Sequence, residues 1–271
     1  MLGKDSRTVL AKALLFSLGL SSSPVFSAPE KLIIAAFEYP PIYQDKADKG
    51  LSGDIAIAAF KAAGVDATLR FYPAARMVRS VVTGETTCGI GGAILFQDPE
   101  SKPHVVFGDV LQYVSQTFLY DKRKYPAGVT YSSPDQLSAY AIGVLYSSGI
   151  MRFLEKHKGL ALSTNSSHEG SAKQLASGRI DLWAIVDLTG QHYMEKLFPE
   201  QAGYFNPTSG FNTGDVSLVC SLKMDPNSYY LKRFRDGLAR IKKDGTYLQI
   251  MAKYYGGKDR INRDALPNDM K

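Results

Sequence analysis

The chain has 271 residues, 45% of them hydrophobic, enough to bury one large core or two small ones. Its 32 Lys and Arg against 26 Asp and Glu give a net charge of +6, and beyond residue 28 the balance is only 29 against 25, a net of +4. That mild excess, with no Lys/Arg run interleaved with aromatics, argues against a nucleic-acid partner, and two cysteines alone make neither a disulfide scaffold nor a zinc site.

The first 28 residues read as a secretory signal. Lys4, Arg7 and Lys12 form a positive region, residues 13–20 an apolar run, and residues 21–28 a small-residue tail with cleavage after Ser27 or Ala28. The apolar run is too short to span a bilayer, and no later stretch stays apolar for about 18 residues. A soluble, exported, periplasmic protein is expected. In that oxidising compartment Cys88 and Cys220 could pair, or both could be small buried hydrophobes.

Residues 31–37 predict a buried strand, followed by the rigid aromatic loop Glu38-Tyr39-Pro40-Pro41-Ile42-Tyr43. Residues 50–54 predict a turn. Ile55, Ala58, Ala59 and Ala62 space like one helix face. A strand over 67–71, a helix opened by Pro73 and stopped by Gly84, and a strand over 88–93 complete a β-α-β-α-β series with short links. The strand at 88–93 carries three glycines, which let a backbone or a ligand approach closely, and it ends in the turn Asp98-Pro99-Glu100-Ser101. Such a strand delivers the chain to the floor of a cleft.

The strand predicted over 114–120 leaves this unit. A second α/β unit follows, with strands at 140–145, 159–163 and 180–186 and helices at 169–176 and 188–197. Ser147 and Ser148 fall where the first of its helices starts. Residues 205–214 read as loop, 216–222 as a strand, and 227–243 and 246–255 as closing helices.

The last element carries the clearest motif, Lys243-Asp244-Gly245-Thr246-Tyr247 followed by Tyr254-Tyr255-Gly256. It resembles the end of the bacterial extracellular solute-binding proteins of the polar-amino-acid type, family 3. Pro40-Pro41, Gly53-Asp54-Ile55, Ser133-Pro134-Asp135-Gln136-Leu137 with Ile142-Gly143-Val144, and Ser177-Gly178-Arg179-Ile180-Asp181 resemble further motifs of that family, in its order. The resemblance covers essentially the whole chain after the signal. It implies an α/β, two-lobe periplasmic binding protein of type II with two hinge strands. Residues 29–114 and 213–271 would form the first lobe and 115–212 the second. The implied protein is a monomer without cofactor. It closes on a small polar or aromatic solute and hands it to an ABC permease or a membrane sensor.

The family's carboxylate clamp is an Arg after the strand matching 88–93, and no Arg occurs from 88 to 107 here. Ordinary α-amino-acid binding is therefore not expected. By the resemblance, Tyr39 matches a stacking aromatic, Ser147 and Ser148 match a helix-start anchor, and Asp187 falls one residue after the acid that binds the ligand amine. Arg76 could supply a replacement cation, and Glu38 could face the cleft. Trp183 reads as core. The resemblance also sets Cys88 opposite Cys220 on antiparallel strands, which leaves a bond and two free thiols both open. The alternative function is an enzyme on the same fold, of the cyclohexadienyl dehydratase kind. Glu38, Glu100 and Asp187 are its candidate acids, but no spacing pairs them. His104, His157, His168 and His192 are scattered, with no metal-ligand spacing.

Overall fold

The computed structural model describes residues 30–146 and 148–271. The expected signal segment and Ser147 lie outside them. The first series of elements follows the predicted order, with β1 at Glu30–Ala36, α1 at Leu51–Ala62, β2 at Val65–Phe71, α2 at Ala74–Val82 and β3 at Cys88–Gly91. β1 pairs in parallel with β2 on one side and β3 on the other.

The predicted turn at 50–54 is instead the start of α1. Gly50 turns the chain at φ 82°, where a side chain would meet the Ile42 carbonyl oxygen at 2.6 Å. Asp54 accepts from the Lys49 backbone N–H at 2.9 Å, which steadies the entry to the helix.

The strand predicted over 114–120 is also longer. β4 runs 17 residues, Val105–Asp121, past Gly108 and Asp109. Two register shifts, between Phe107 and Val110 and between Val110 and Gln112, absorb the irregular residues without ending the strand. Its first part pairs antiparallel with β9, Asn212–Ser221, and its last part with β7, Leu182–Val186. The stretch predicted as loop over 205–214 thus holds a short β8, Phe205–Pro207, against β4, and the start of β9.

The second unit adds β5 at Ala141–Leu145, α3 at Gly149–Leu154, β6 at Ala161–Asn165, α4 at His168–Ala176 and α5 at Asp187–Leu197. β5 lies in parallel between β6 and β7. The strand order is β2-β1-β3-β9-β4-β7-β5-β6, so β9 and β4 are shared by two packed regions. One core gathers β1, α1, β3, β9 and the closing helices α6, Tyr229–Lys243, and α7, Thr246–Tyr255. Two further clusters lie around β4, β5 and β7 in the second lobe.

The closing helices are fixed to the first lobe by specific contacts. Gly237 of α6 lets α1 approach so closely that an added Cβ would stand 1.8 Å from the Ala59 carbonyl oxygen. Tyr247 is buried and donates to the Leu111 carbonyl at 2.8 Å. Lys253 and Tyr254 hold Asp54 at 2.9 and 2.8 Å.

Cys88 stands directly opposite Cys220 across β3 and β9, with Cα atoms 4.0 Å apart, and the two form a disulfide. They are 132 residues apart in sequence. Closing so long a loop restricts the unfolded chain, a contribution of about 2–4 kcal/mol. Reduction, or Cys88→Ser with Cys220→Ser, is expected to lower stability by that amount in denaturant titration. Denatured, non-reduced protein is expected to titrate no free thiol. Two reactive thiols would contradict the bond.

Candidate ligand-binding site

In open α/β sheets a ligand sits beyond the carboxyl ends of the strands. Here the loop after β1 leads into that space. Tyr39 and Tyr43 bridge each other through backbone hydrogen bonds of 2.9 and 3.0 Å, so the loop is a fixed turn. Phe37 packs on the Tyr43 ring with centroids 5.0 Å apart. This support projects Tyr39 onto the second lobe, where its ring meets His168 edge-on at 5.3 Å and 81°. Thr189, on the first turn of α5, lies beside the Tyr39 hydroxyl, and burial raises the pKa of that hydroxyl.

Two hollows are lined in part by residues of this loop. The smaller, about 340 Å³, is lined by Phe37, Glu38, Phe71, Tyr72, Pro73 and Ala74, at the ends of β1 and β2. The larger, about 950 Å³, reaches across both lobes. Gln44, Lys46 and Asp48 line one side of it, and Asp187, Gln191 and His192 the other. Hollows of this size suit small molecules.

The match to the family model for bacterial extracellular solute-binding proteins, family 3, runs over residues 32–257, most of the chain. The chain belongs to that family. Its fold is the two-lobe, type II periplasmic binding fold, seen also in solved relatives. The substrate-binding protein of an amino acid ABC transporter is 17% identical, with a TM-score of 0.59 over 83% of this chain and 99% of that one. An ancestral cationic amino acid solute-binding protein is 20% identical, with a TM-score of 0.66 over 83% of this chain and 95% of that one. Among curated proteins, the membrane-bound lytic murein transglycosylase F of Nitrosospira multiformis is 22% identical over 88% of this chain. The chain spans about half the length of that relative, 49%.

Within this family member, the residues singled out in the sequence do not converge on one point. Arg76 is exposed in the first turn of α2. Its guanidinium lies over the Tyr72 ring at 5.3 Å and 3.8 Å from Glu85. Glu38 is exposed and accepts from the Asp45 backbone N–H at 2.7 Å. Ser148 caps α3, accepting from the Met151 N–H at 3.0 Å.

Asp187 is buried at the start of α5. It accepts from Leu188 N–H at 2.7 Å and from the Asn262 amide at 2.8 Å, and burial raises its pKa. It thus faces the C-terminal segment and lines the larger hollow. Among the described residues no group of three His, Cys, Asp or Glu could hold a metal ion, and no helix is long and apolar enough to cross a membrane.

His168 was not legible in the sequence, where it is a lone histidine after a polar run. Only the fold sets it under Tyr39 and against Trp183 and Tyr193. Burial pushes its pKa down from the usual 6.5 to about 4. The unfolded chain therefore binds this proton at a higher pH than the folded one does. Stability is complete above about pH 6.5 and falls as pH drops toward 4, by up to about 3 kcal/mol from this group. Urea unfolding at pH 7 and pH 4.5 should show a smaller difference in His168→Phe than in the parent chain. An equal difference would mean that His168 titrates normally.

Proposed function

We propose that this family member is a periplasmic receptor that closes on a small polar or aromatic solute between its lobes. The observation that carries the reading is the hollow lined from both lobes, by Pro41 and Gln44 on one side and Asp187 and Gln191 on the other, in a chain matched by the family model almost throughout. The lobes divide near 114–115 and 212–213, where β4 and β9 run side by side. The first lobe is 29–114 with 213–271, and the second is 115–212. The protein is exported after cleavage near Ser27 or Ala28 and acts as a monomer. It passes its solute to an ABC permease or a membrane sensor. Tyr39, Glu38, Arg76, Ser148 and Asp187 are the candidate contacts for the solute, to be tested one at a time.

Binding without conversion suits the candidate acids better than catalysis does. Glu38 and Glu100 are exposed, while Asp187 is buried and already held by Asn262. General acid–base chemistry needs such groups within reach of the same proton. Native mass spectrometry of protein isolated without refolding, with a thermal-shift solute screen, tests the reading. At least one solute is expected to stabilise the fold, by about 2.7 kcal/mol at a hundredfold excess over Kd. It should be recovered unchanged; recovery of a converted product would move the reading to an enzyme. Glutamate, glutamine, histidine and arginine are expected to bind weakly, because no Arg stands between residues 88 and 107. Micromolar binding of any of them would overturn that part.

Arg76 lies over the Tyr72 ring that lines the smaller hollow. If it carries ligand charge, Arg76→Ala weakens the best hit of the screen by about 1.5–3 kcal/mol, with folding unchanged. Unchanged affinity would leave Arg76 as a partner of Glu85 alone.

A further inference from the structure

The match to the family model stops at residue 257, and the segment beyond it reaches from the first lobe to the second. After α7 the chain turns back over the ribbon of β4 and β9. Ala265 and Leu266 are buried in one cluster with Leu111 of β4 and Val216 of β9. Farther on, Asp269 pairs with Lys242 of α6 at 2.9 Å, and the Lys271 ammonium lies over the Tyr113 ring of β4 at 5.3 Å. Both ends of the segment are thus fixed to the first lobe. Its middle is not. The Asn262 amide donates to the Asp187 carboxylate at 2.8 Å, where β7 passes into α5 of the second lobe. The Asn262 amide oxygen accepts from the Asp264 N–H at 3.0 Å, which leaves the amide nitrogen pointed at the carboxylate. Asp187 is buried, and its other oxygen accepts from the Leu188 N–H at 2.7 Å. Val186 and Leu188, on either side of it, are buried in the same cluster as Ala265 and Leu266.

We infer that segment 257–271 is a strap that holds the second lobe against the first, with the Asn262–Asp187 hydrogen bond as its clasp. The inference needs the two-lobe fold and not the receptor reading. Domain closure turns one rigid body about a few hinge residues. A rotation about β4 and β9 that carried Asp187 away would pull it off Asn262, which stays behind with the anchors of the strap. The buried carboxylate would lose a donor, and Val186 and Leu188 would lose their cover. The apolar contact resists parting in any direction, while the hydrogen bond adds one preferred position. The clasp therefore sets how often the lobes part. Under the receptor reading, Asn262 would tune affinity without touching the solute.

Native-state amide exchange on the full exported protein tests the clasp with no solute added. The reporter is the Leu188 N–H, bonded to Asp187 inside the contact between the lobes, which exchanges when that contact opens. Asn262→Leu, nearly isosteric, removes the donor. Asn262→Asp keeps an acceptor for the Asp264 N–H but sets a second acid against Asp187. Each is expected to speed Leu188 exchange at least about tenfold, the scale of one hydrogen bond to a charged group, while the amides of β1 and β5 keep their rates. Exchanging the partners, Asp187→Asn with Asn262→Asp, restores donor and acceptor and is expected to return Leu188 to within about threefold of the parent rate. Circular dichroism checks folding, and Asn262→Asp carries the test if Asn262→Leu does not fold. An unchanged Leu188 rate in both single variants would overturn the clasp. So would equal acceleration in β1 and β5, which marks a loss of overall stability, or an exchanged pair that does not recover. If the solute screen finds nothing, the receptor reading falls and this test still decides the clasp.

Discussion

The chain enters its second lobe along β4 and leaves it along β9, and these strands are hydrogen-bonded to each other from Gln112–Val216 to Gln116–Asn212. A paired ribbon bends far more readily than it shears, because shear would break its ladder. The remaining geometry depends on this restriction. The strand ends of both lobes are held facing one space, and Tyr39 can reach His168 only because the ribbon sets the distance. The ribbon is anchored on the first-lobe side by Asp215. Its carboxylate accepts from the Ala93 N–H at 3.1 Å and from the Ser217 hydroxyl at 2.9 Å. Gln112 adds a bond to Ser52 at the start of α1.

The two hollows beside this ribbon differ in character. Phe37, Phe71 and Tyr72 line the smaller, while Lys46, Asp48, Asp187, Glu195, Lys253 and Arg260 line the larger. The formal charges nearby are mostly committed within the protein. Arg76 is beside Glu85, Lys196 is 3.0 Å from Glu169, and Lys253 is shared by Asp48 and Asp54.

Much of the fold was legible because its elements obey local rules. Apolar runs bounded by Gly and Pro gave the strands, and Pro73 with Gly84 bounded α2. The errors have physical causes. Gly108 and Asp109 look like a break, but pairing with β9 carries the strand through them as a bulge. Residues 212–215 look like loop, since their pairing partners lie about 100 residues away. At the site, Tyr39 was visible from its rigid loop. The direction of Asp187 depends on the helical phase after β7, which a one-residue offset turns by about 100°. His168 gains its surroundings only from elements distant in sequence.

The Cys88–Cys220 bond joins two strands of the first lobe. Every residue of the second lobe lies between those two cysteines in the chain. The second lobe is thus a covalent ring whose clasp sits in its neighbour. A protease that nicks one of the second lobe's exposed turns would cut the backbone without releasing either piece. The molecule would migrate as one chain until a reductant opened the clasp, and the first lobe's sheet could stay assembled around the break.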